Sequence, residues 1–230
     1  MVAESEVRRL AEATSARGEV VLTERHDGSE RVIELRVNGV FVMDTAETST
    51  EVALAAAALD LVEEAHDVLV GGLGLGFTAR RVLADPRVES LTVVEIEESV
   101  VAWMRDGTIP HGPELLADDR LTVIEADLAD ALTDARAASF DLVLLDVDNG
   151  PGYLVHPHNR ALYETPFLAR VHDVLRPGGV VVIWSAAPAP ELRTAMETAY
   201  GGCTELPFEV TLQGRAEHYL LYLARTKGAS

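Results

Sequence analysis

The amino-acid sequence predicts an α/β fold: a mainly parallel sheet with helices on both faces and a small antiparallel β appendage at the N-terminus. Three observations predict it. Residues 67–97, DVLVGGLGLGFTARRVLADPRVESLTVVEIE, read as an apolar strand, a glycine-rich turn, a helix and a second apolar strand that ends on an acid. Beyond them, short apolar runs alternate with amphipathic segments. Before them, Asp27-Gly28 and Asn38-Gly39 supply hairpin signals between short strand candidates.

Taken in order, residues 1–18 read as a polar helical lead-in or a frayed tail. Strand candidates follow at Glu19 to Glu24, Arg31 to Val37 and Val40 to Met43. Thr48-Ser49-Thr50 offers capping chemistry for a helix over Glu51 to Glu64. This places an N-terminal β region at residues 1–50 and a Rossmann-like domain at 51–230. In the latter, Val68 to Val70 is a strand, Phe77 to Leu83 a helix and Leu91 to Val94 a strand closing on Glu95. Glu98 to Arg105 reads as a helix, residues 109–113 as a loop, and Leu121 to Glu125 as a strand running into Ala126-Asp127. A short helix over Leu128 to Ala135 precedes the strand Asp141 to Leu145, which ends at Asp146. Val147 to His158, rich in Gly, Pro and His, is irregular. Thr165-Pro166 opens a helix that Arg176-Pro177-Gly178-Gly179 stops after Leu175. Val180 to Trp184 is a strand, Glu191 to Tyr200 a helix, and two strands near Glu209 and Tyr219 close the pattern.

Composition narrows the function. The 230 residues carry 38 acidic and 19 basic side chains, a formal net charge of −19. Such a chain repels nucleic acid phosphate and anionic membrane surfaces, and attracts cations such as amines and sulfonium compounds. No apolar run reaches the length of a membrane span, and the first residues lack the apolar core of a signal peptide. Cys203 is the single cysteine, which excludes an internal disulfide and a four-cysteine zinc site. A cytoplasmic location is the expectation.

The candidate site follows from the strand ends. In open α/β sheets the ligand lies outside the carboxyl ends of the strands. The first strand ends in Gly72, Gly74 and Gly76, and the next three end at Glu95, Asp127 and Asp146. Glycine lets a ligand approach bare backbone, and the helix start beyond the turn offers unpaired N–H groups. Glu95 is placed to accept from two ribose hydroxyls, Asp127 to meet an adenine amino group, and Asp146 to face the reacting centre. Phe77, at the sixth position of the glycine motif, disfavours nicotinamide dinucleotides. His156-Pro157-His158 lacks metal-ligand spacing, so no metal is expected. Tyr153 or His156 is a candidate general base in the acceptor pocket. Ser185 lacks the context of a nucleophile elbow.

These motifs resemble the polyamine aminopropyltransferases, spermidine synthase-like proteins on a methyltransferase-type Rossmann fold. The resemblance covers most of the chain from about Val37 on. Val37-Asn38-Gly39-Val40 resembles the family's L-D-G-V hairpin, and Val94-Glu95-Ile96-Glu97 its V-E-I-D, whose first acid holds ribose. Asp127, followed by Leu128, matches the acid near adenine. Asp146-Val147-Asp148-Asn149 lies where the family has D-S-S-D. Leu162-Tyr163-Glu164 and Leu175-Arg176-Pro177-Gly178-Gly179 are similar to F-Y-E and L-K-P-G-G. The chain departs from the pattern at three places. Leu75 stands where the family has the aspartate that binds the donor's aminopropyl ammonium, Asn149 where it has the last acid of D-S-S-D, and Val42 where it has a glutamine.

The resemblance implies an S-adenosyl donor site built from Gly72, Gly74, Leu75, Gly76, Glu95, Ile96, Asp127, Leu128 and Asp146. It implies an acceptor site drawn from Asp146, Asp148, Asn149, Tyr153 and His156. The donor is S-adenosylmethionine or its decarboxylated form, and the partner a small-molecule acceptor. Without the aminopropyl-binding aspartate, methyl transfer is favoured over aminopropyl transfer; a non-catalytic adenosyl-binding protein is the third reading. Family members commonly dimerise, which implies a homodimer.

Overall fold

The computed structural model describes residues 7–148, 150–212 and 215–228. Its first unit is a four-stranded antiparallel meander of β1 (Arg8–Ser15), β2 (Gly18–Asp27), β3 (Glu30–Val37) and β4 (Val40–Asp44). Val37 pairs with Val40 across Asn38-Gly39, whose φ values of 53° and 76° make the two-residue turn that suits twisted strands. Of the stretch expected to be a polar helical lead-in or a frayed tail, residues 8–15 are instead β1, and residues 1–6 lie outside the described residues. The side chains of β1 are mostly exposed, so its apolar pattern is faint; it is held by the backbone ladder to β2 and by Arg8 against Glu24 at 3.1 Å.

The second unit is a seven-stranded sheet. Its elements are α1 (Ser49–Asp60), β5 (Asp67–Gly71), α2 (Phe77–Leu83), β6 (Ser90–Glu95), α3 (Glu98–Asp106), α4 (Gly112–Leu116), β7 (Leu121–Glu125), α5 (Leu128–Asp134) and β8 (Phe140–Leu145). A 3-10 helix (Pro157–Tyr163), α6 (Thr165–Val174), β9 (Leu175–Ser185), α7 (Pro190–Tyr200), β10 (Thr204–Leu212) and β11 (Arg215–Arg225) complete it. The strand order is β10-β11-β9-β8-β5-β6-β7. The ladders from β7 to β9 are parallel, and β11 runs antiparallel to β9. Strand order reverses between β5 and β8, which puts a crevice there.

Each central strand is apolar on both faces because both are covered. Val68, Val70, Leu142, Leu144 and Val182 pack toward α1 to α3, in a core that also takes Leu22, Ile33, Leu35 and Met43 from the N-terminal sheet. Leu69, Val143, Leu145 and Ile183 pack toward α5 to α7. The boundary expected at residue 50 thus falls between two sheets that share one core. No helix among the described residues is long and apolar enough to cross a membrane.

Several element ends differ from expectation, each for a visible reason. The helix expected to reach Glu64 stops at Asp60. Arg87 takes the carbonyls of Leu59 and Val62, so those acceptors are satisfied without further turns. The loop at 109–113 gives way to α4, with Pro113 in its first turn. The cap of α6 is Glu164, not Thr165, and makes no side-chain bond. β9 begins at Leu175 rather than Val180. Leu175 already pairs with Phe140, and a register shift before Leu142 absorbs the Pro-Gly-Gly segment.

That shift gives Arg176 a structural task at the N-terminal ends of three strands. Its guanidinium meets Asp141 Oδ1 and Asp67 Oδ2, each at 2.7 Å, while Asp141 Oδ2 accepts from the Asp67 amide at 2.9 Å. Asp141 is buried. Arg176→Met should leave that carboxylate without its cation and lower stability by about 2–4 kcal/mol. Urea unfolding reads the loss. A change below about 0.5 kcal/mol would mean that water already screens the bridge.

Candidate active site

The crevice is built from the ends of β5 and β8. The Asp146 amide donates to the Gly71 carbonyl at 3.0 Å, and the Gly72 amide donates to Val94 at 2.9 Å. Gly72 has φ +97°, and a Cβ there would sit 2.5 Å from the Asp146 carbonyl oxygen. No other residue fits without parting the two strands. Glu95 lies beneath the turn. Its Oε2 accepts from the Leu73 amide and its Oε1 from the Glu97 amide, both at 2.8 Å. The turn before α2 uses its own amides: Leu73 donates to Glu95, Gly76 to the Leu73 carbonyl at 2.8 Å, and Leu75 to Met43 Sδ at 3.1 Å. The Gly74 amide bonds to the Glu95 carboxylate as well, which leaves one acceptor position for a ligand hydroxyl.

Two compartments meet at this turn. The first is lined by Glu95, Ile96, Glu97, Asp127, Leu128 and His156, among others. The second is lined by Asp44, Glu47, Glu51, Phe77, Thr78 and Trp184, among others. Val42, Gly72, Gly74, Asp146 and Asp148 border both. The first has the form of a nucleoside slot: an acid at the end of β6, another at the end of β7, and apolar side chains between them. In the second, every charged lining residue is an acid. Such a lining favours a cation over an anion, although Asp44 is already paired with Arg25 at 3.0 Å.

The expected residues fall into distinct places. Gly72, Gly74, Glu95, Ile96, Asp127, Leu128 and Asp146 line the first compartment. Asp127 also caps α5, accepting from Ala129 N at 2.8 Å. Leu75 and Gly76 line neither compartment; Leu75 is fully buried in the core. Asp148 braces the loop that follows it. Its oxygens accept from the Val155 amide at 3.0 Å and from Asn159 Nδ2 at 3.0 and 2.9 Å. Tyr153 is 60% exposed and lines neither compartment, because the brace turns that part of the loop outward. His156, expected beside the acceptor, faces the first compartment instead. Asn149 lies outside the described residues.

Sequence reasoning missed Thr78, Glu51 and Tyr163. The Thr78 hydroxyl donates to Asp146 Oδ2 at 2.7 Å, and the Tyr163 hydroxyl donates to the Val147 carbonyl at 2.6 Å. Glu51 stands in the first turn of α1. The only sequence signal for it was its place in a predicted helix after the hairpins, which reads equally as a helix-dipole acid.

The carboxylates of the site are poised differently. Burial raises Asp146 above the usual carboxylate range, opposed by the Thr78 hydroxyl. Burial also raises Asp148, opposed by Asn159, the Val155 amide and His156. Glu51 is pushed up to about 7, first by burial and then by the charge of Asp146, against the Thr50 hydroxyl. An acid held half-protonated near neutrality beside a second buried acid is a candidate for proton transfer.

Comparison with known proteins fits this geometry. Residues 47–201 match the family model described as spermine/spermidine synthase domain. Putrescine N-methyltransferase 3 of Nicotiana tabacum is 34% identical over 116 residues, 50% of this chain and 28% of that protein. Polyamine aminopropyltransferase 2 of Pseudomonas aeruginosa is 31% identical over 125 residues, 53% of this chain and 34% of that protein. The matches therefore span well under half the length of these curated relatives. A spermidine synthase in complex with the transition-state analogue AdoDATO superposes with a TM-score of 0.80 at 18% identity, over 96% of this chain and 75% of that one. The spermidine synthase of Thermotoga maritima gives 0.78 at 16%, over 96% and 74%. These likenesses establish a methyltransferase-like α/β fold.

The raised Glu51 has a consequence for stability. Its folded value of about 7 lies above the ordinary 4.5. The folded state therefore holds the proton more tightly, and stability falls as pH rises through that window. Glu51→Gln removes the cost. It should be more stable than wild type at pH 8 by on the order of 1–3 kcal/mol, with the difference shrinking toward pH 4.5. Thermal melts at both ends of the range test this; an equal offset throughout would dissociate Glu51 from the effect.

Proposed function

The chain belongs to the spermine/spermidine synthase domain family, and on that premise we propose that it is a transferase moving an alkyl group from an S-adenosyl sulfonium donor to a small amine acceptor, with methyl transfer the leading reaction. The observation that carries this reading is the meeting of a nucleoside-shaped compartment with an all-acidic one at Gly72 and Asp146. The residues suit such a donor. Bare backbone at Gly72 admits close approach, Glu95 retains acceptor capacity for ribose, and Ile96 and Leu128 offer apolar walls to a base.

When bound, the sulfonium supplies a carbon already activated for displacement. The protein's part is placement and proton management. The acidic compartment binds and orients the acceptor as its ammonium form. An ammonium has no lone pair, so a proton must leave its nitrogen before transfer. Asp146, with Oδ2 held by Thr78 and Oδ1 free of hydrogen bonds among the described residues, is one proton acceptor at the junction. Glu51, held near neutrality in the same compartment, is the other.

Methyl transfer leads for two reasons. Of the glycine-turn residues that border the compartments, Gly72, Leu73 and Gly74, none carries a carboxylate for an aminopropyl ammonium, and the putrescine N-methyltransferases are among the similar proteins. One observation favours aminopropyl transfer as the second reading. S-adenosylmethionine carries an α-carboxylate, and the acidic compartment offers it no cationic side chain, while the amides of the turn are engaged. The decarboxylated donor lacks that carboxylate. Its ammonium meets Glu47 and Glu51 favourably, Asp44 being already paired with Arg25.

Incubation with each donor and a panel of amines led by putrescine, read by product mass, separates the two. A methylated amine supports the leading reading and an aminopropylated one the second. Binding of S-adenosylhomocysteine without turnover of any amine would leave a non-catalytic adenosyl-binding protein. Glu95→Ala should weaken donor binding at least tenfold, since each charge-assisted bond is worth roughly 1.5–3 kcal/mol. Asp146→Asn should lower turnover by roughly 10²–10⁴ with the melting temperature nearly unchanged. Wild-type turnover in that variant would remove Asp146 from proton transfer.

A further inference from the structure

Glu97 and His156 form a second polar pair in the nucleoside-shaped compartment, beyond the Glu95 carboxylate beneath the glycine turn. Glu97 lies two residues after Glu95, and its side chain is only 8% exposed. It faces the same compartment. Its position is set from outside the α/β unit. Arg17 Nε donates to Glu97 Oε1 at 3.0 Å, and Arg17 Nη2 donates to the Ile96 carbonyl. Arg17 sits in the turn between β1 and β2. The Asn38 side chain fastens that turn, donating to the Arg17 carbonyl at 3.1 Å and accepting from Glu19 N at 3.0 Å. The N-terminal sheet thus reaches over to hold one carboxylate at the rim of the compartment.

The opposite wall supplies the unexplained group. His156 Nε2 is buried and has no hydrogen-bond partner. It stands 3.9 Å from Glu97 Oε1, beyond hydrogen-bond reach. Buried polar atoms are nearly always satisfied, so an orphan in a ligand compartment points to a partner that the ligand brings. Nε2 is closed to solvent in this structure, so a small rotation of the His156 ring is what brings it and Glu97 Oε1 within reach of one hydroxyl oxygen. That hydroxyl donates its proton to the carboxylate and accepts from the imidazole N–H, a division of roles that neither a carbonyl nor an amine proton alone can fill.

We infer that Glu97 and His156 together hold one ribose hydroxyl of the adenosyl donor, with Arg17 as the residue that positions Glu97. This rests on the S-adenosyl reading of the first compartment. Glu95, whose two oxygens already accept from the turn, takes the neighbouring hydroxyl. The two acids then share a vicinal diol between them.

Calorimetry with S-adenosylhomocysteine and its 2′-deoxy and 3′-deoxy analogues tests the inference on wild type, His156→Ala, His156→Gln and Arg17→Met. His156→Ala should bind S-adenosylhomocysteine roughly tenfold more weakly. One of the two deoxy analogues should bind about tenfold more weakly than the parent to wild type, yet equally with it to His156→Ala. His156→Gln, which keeps a donor, should restore part of the discrimination. Arg17→Met should weaken binding several-fold and blunt discrimination at that same hydroxyl. Affinity in His156→Ala equal to wild type overturns the inference and leaves the S-adenosyl reading intact. So does weaker binding with discrimination against both analogues retained, because that pattern marks a purely structural role. Failure of wild type to bind S-adenosylhomocysteine at all overturns both.

Discussion

The contact on which the site depends is the approach of Gly72 to the Asp146 carbonyl. The ends of β5 and β8 are hydrogen-bonded through Asp146 N and the Gly71 carbonyl, and the chain beyond each must turn away at once. With the Gly72 Cβ absent, the two turns sit against each other, and the compartments open on either side. Any side chain at position 72 would force the strands apart or push Asp146 out of the junction. The backbone conformation and the close contact therefore demand glycine independently. This is a stricter requirement than a glycine-rich turn alone imposes.

Acids crowd this region, and the fold treats four of them differently. Glu95 is buried yet bonded by amides, so its charge serves the turn as well as any ligand. Asp148, at φ +56°, spends its oxygens on Val155 and Asn159 and shapes the loop. Asp146 has a single hydroxyl partner, Thr78. Among the described residues Glu51 has the hydroxyl of its neighbour Thr50 and its own amide, and it feels Asp146 as a like charge. The gradient runs from structural acids with several donors to nearly bare acids facing the second compartment. Bare buried acids are costly to a folded chain and are kept where a cation or a proton is to be handled.

The main architecture was legible because its signals are local. Apolar runs, the Gly72 to Gly76 turn and the acids at strand ends mark the parallel strands and their switch point. Hairpin turns at Gly28 and Asn38-Gly39 mark the N-terminal sheet. What stayed hidden arises from tertiary partners. β1, RRLAEATS, has mostly exposed side chains and is a strand because β2 offers it a ladder. Thr78 reads as a residue of the first turn of α2 until β8 places Asp146 beside it. Asp148 reads as an acceptor-site acid until the loop folds back and Asn159 claims it. His156 reads as an acceptor base because it follows Asp146 in sequence, but the brace at Asp148 swings it over the first compartment.

The N-terminal sheet belongs to the site as much as to the scaffold. Met43 and Asp44 from β4 line the second compartment, and Met43 Sδ accepts from the Leu75 amide within the glycine turn. Arg17 reaches the end of β6 from the other side of the same sheet. The shared core of Leu22, Leu35 and Met43 with the α1 to α3 layer keeps the sheet from moving independently of the turn. A shift of the meander would therefore disturb the floor of the acidic compartment and the rim of the nucleoside slot together. The crevice takes its walls from both sheets, and on the proposed reading a change in that common wall alters donor and acceptor binding together.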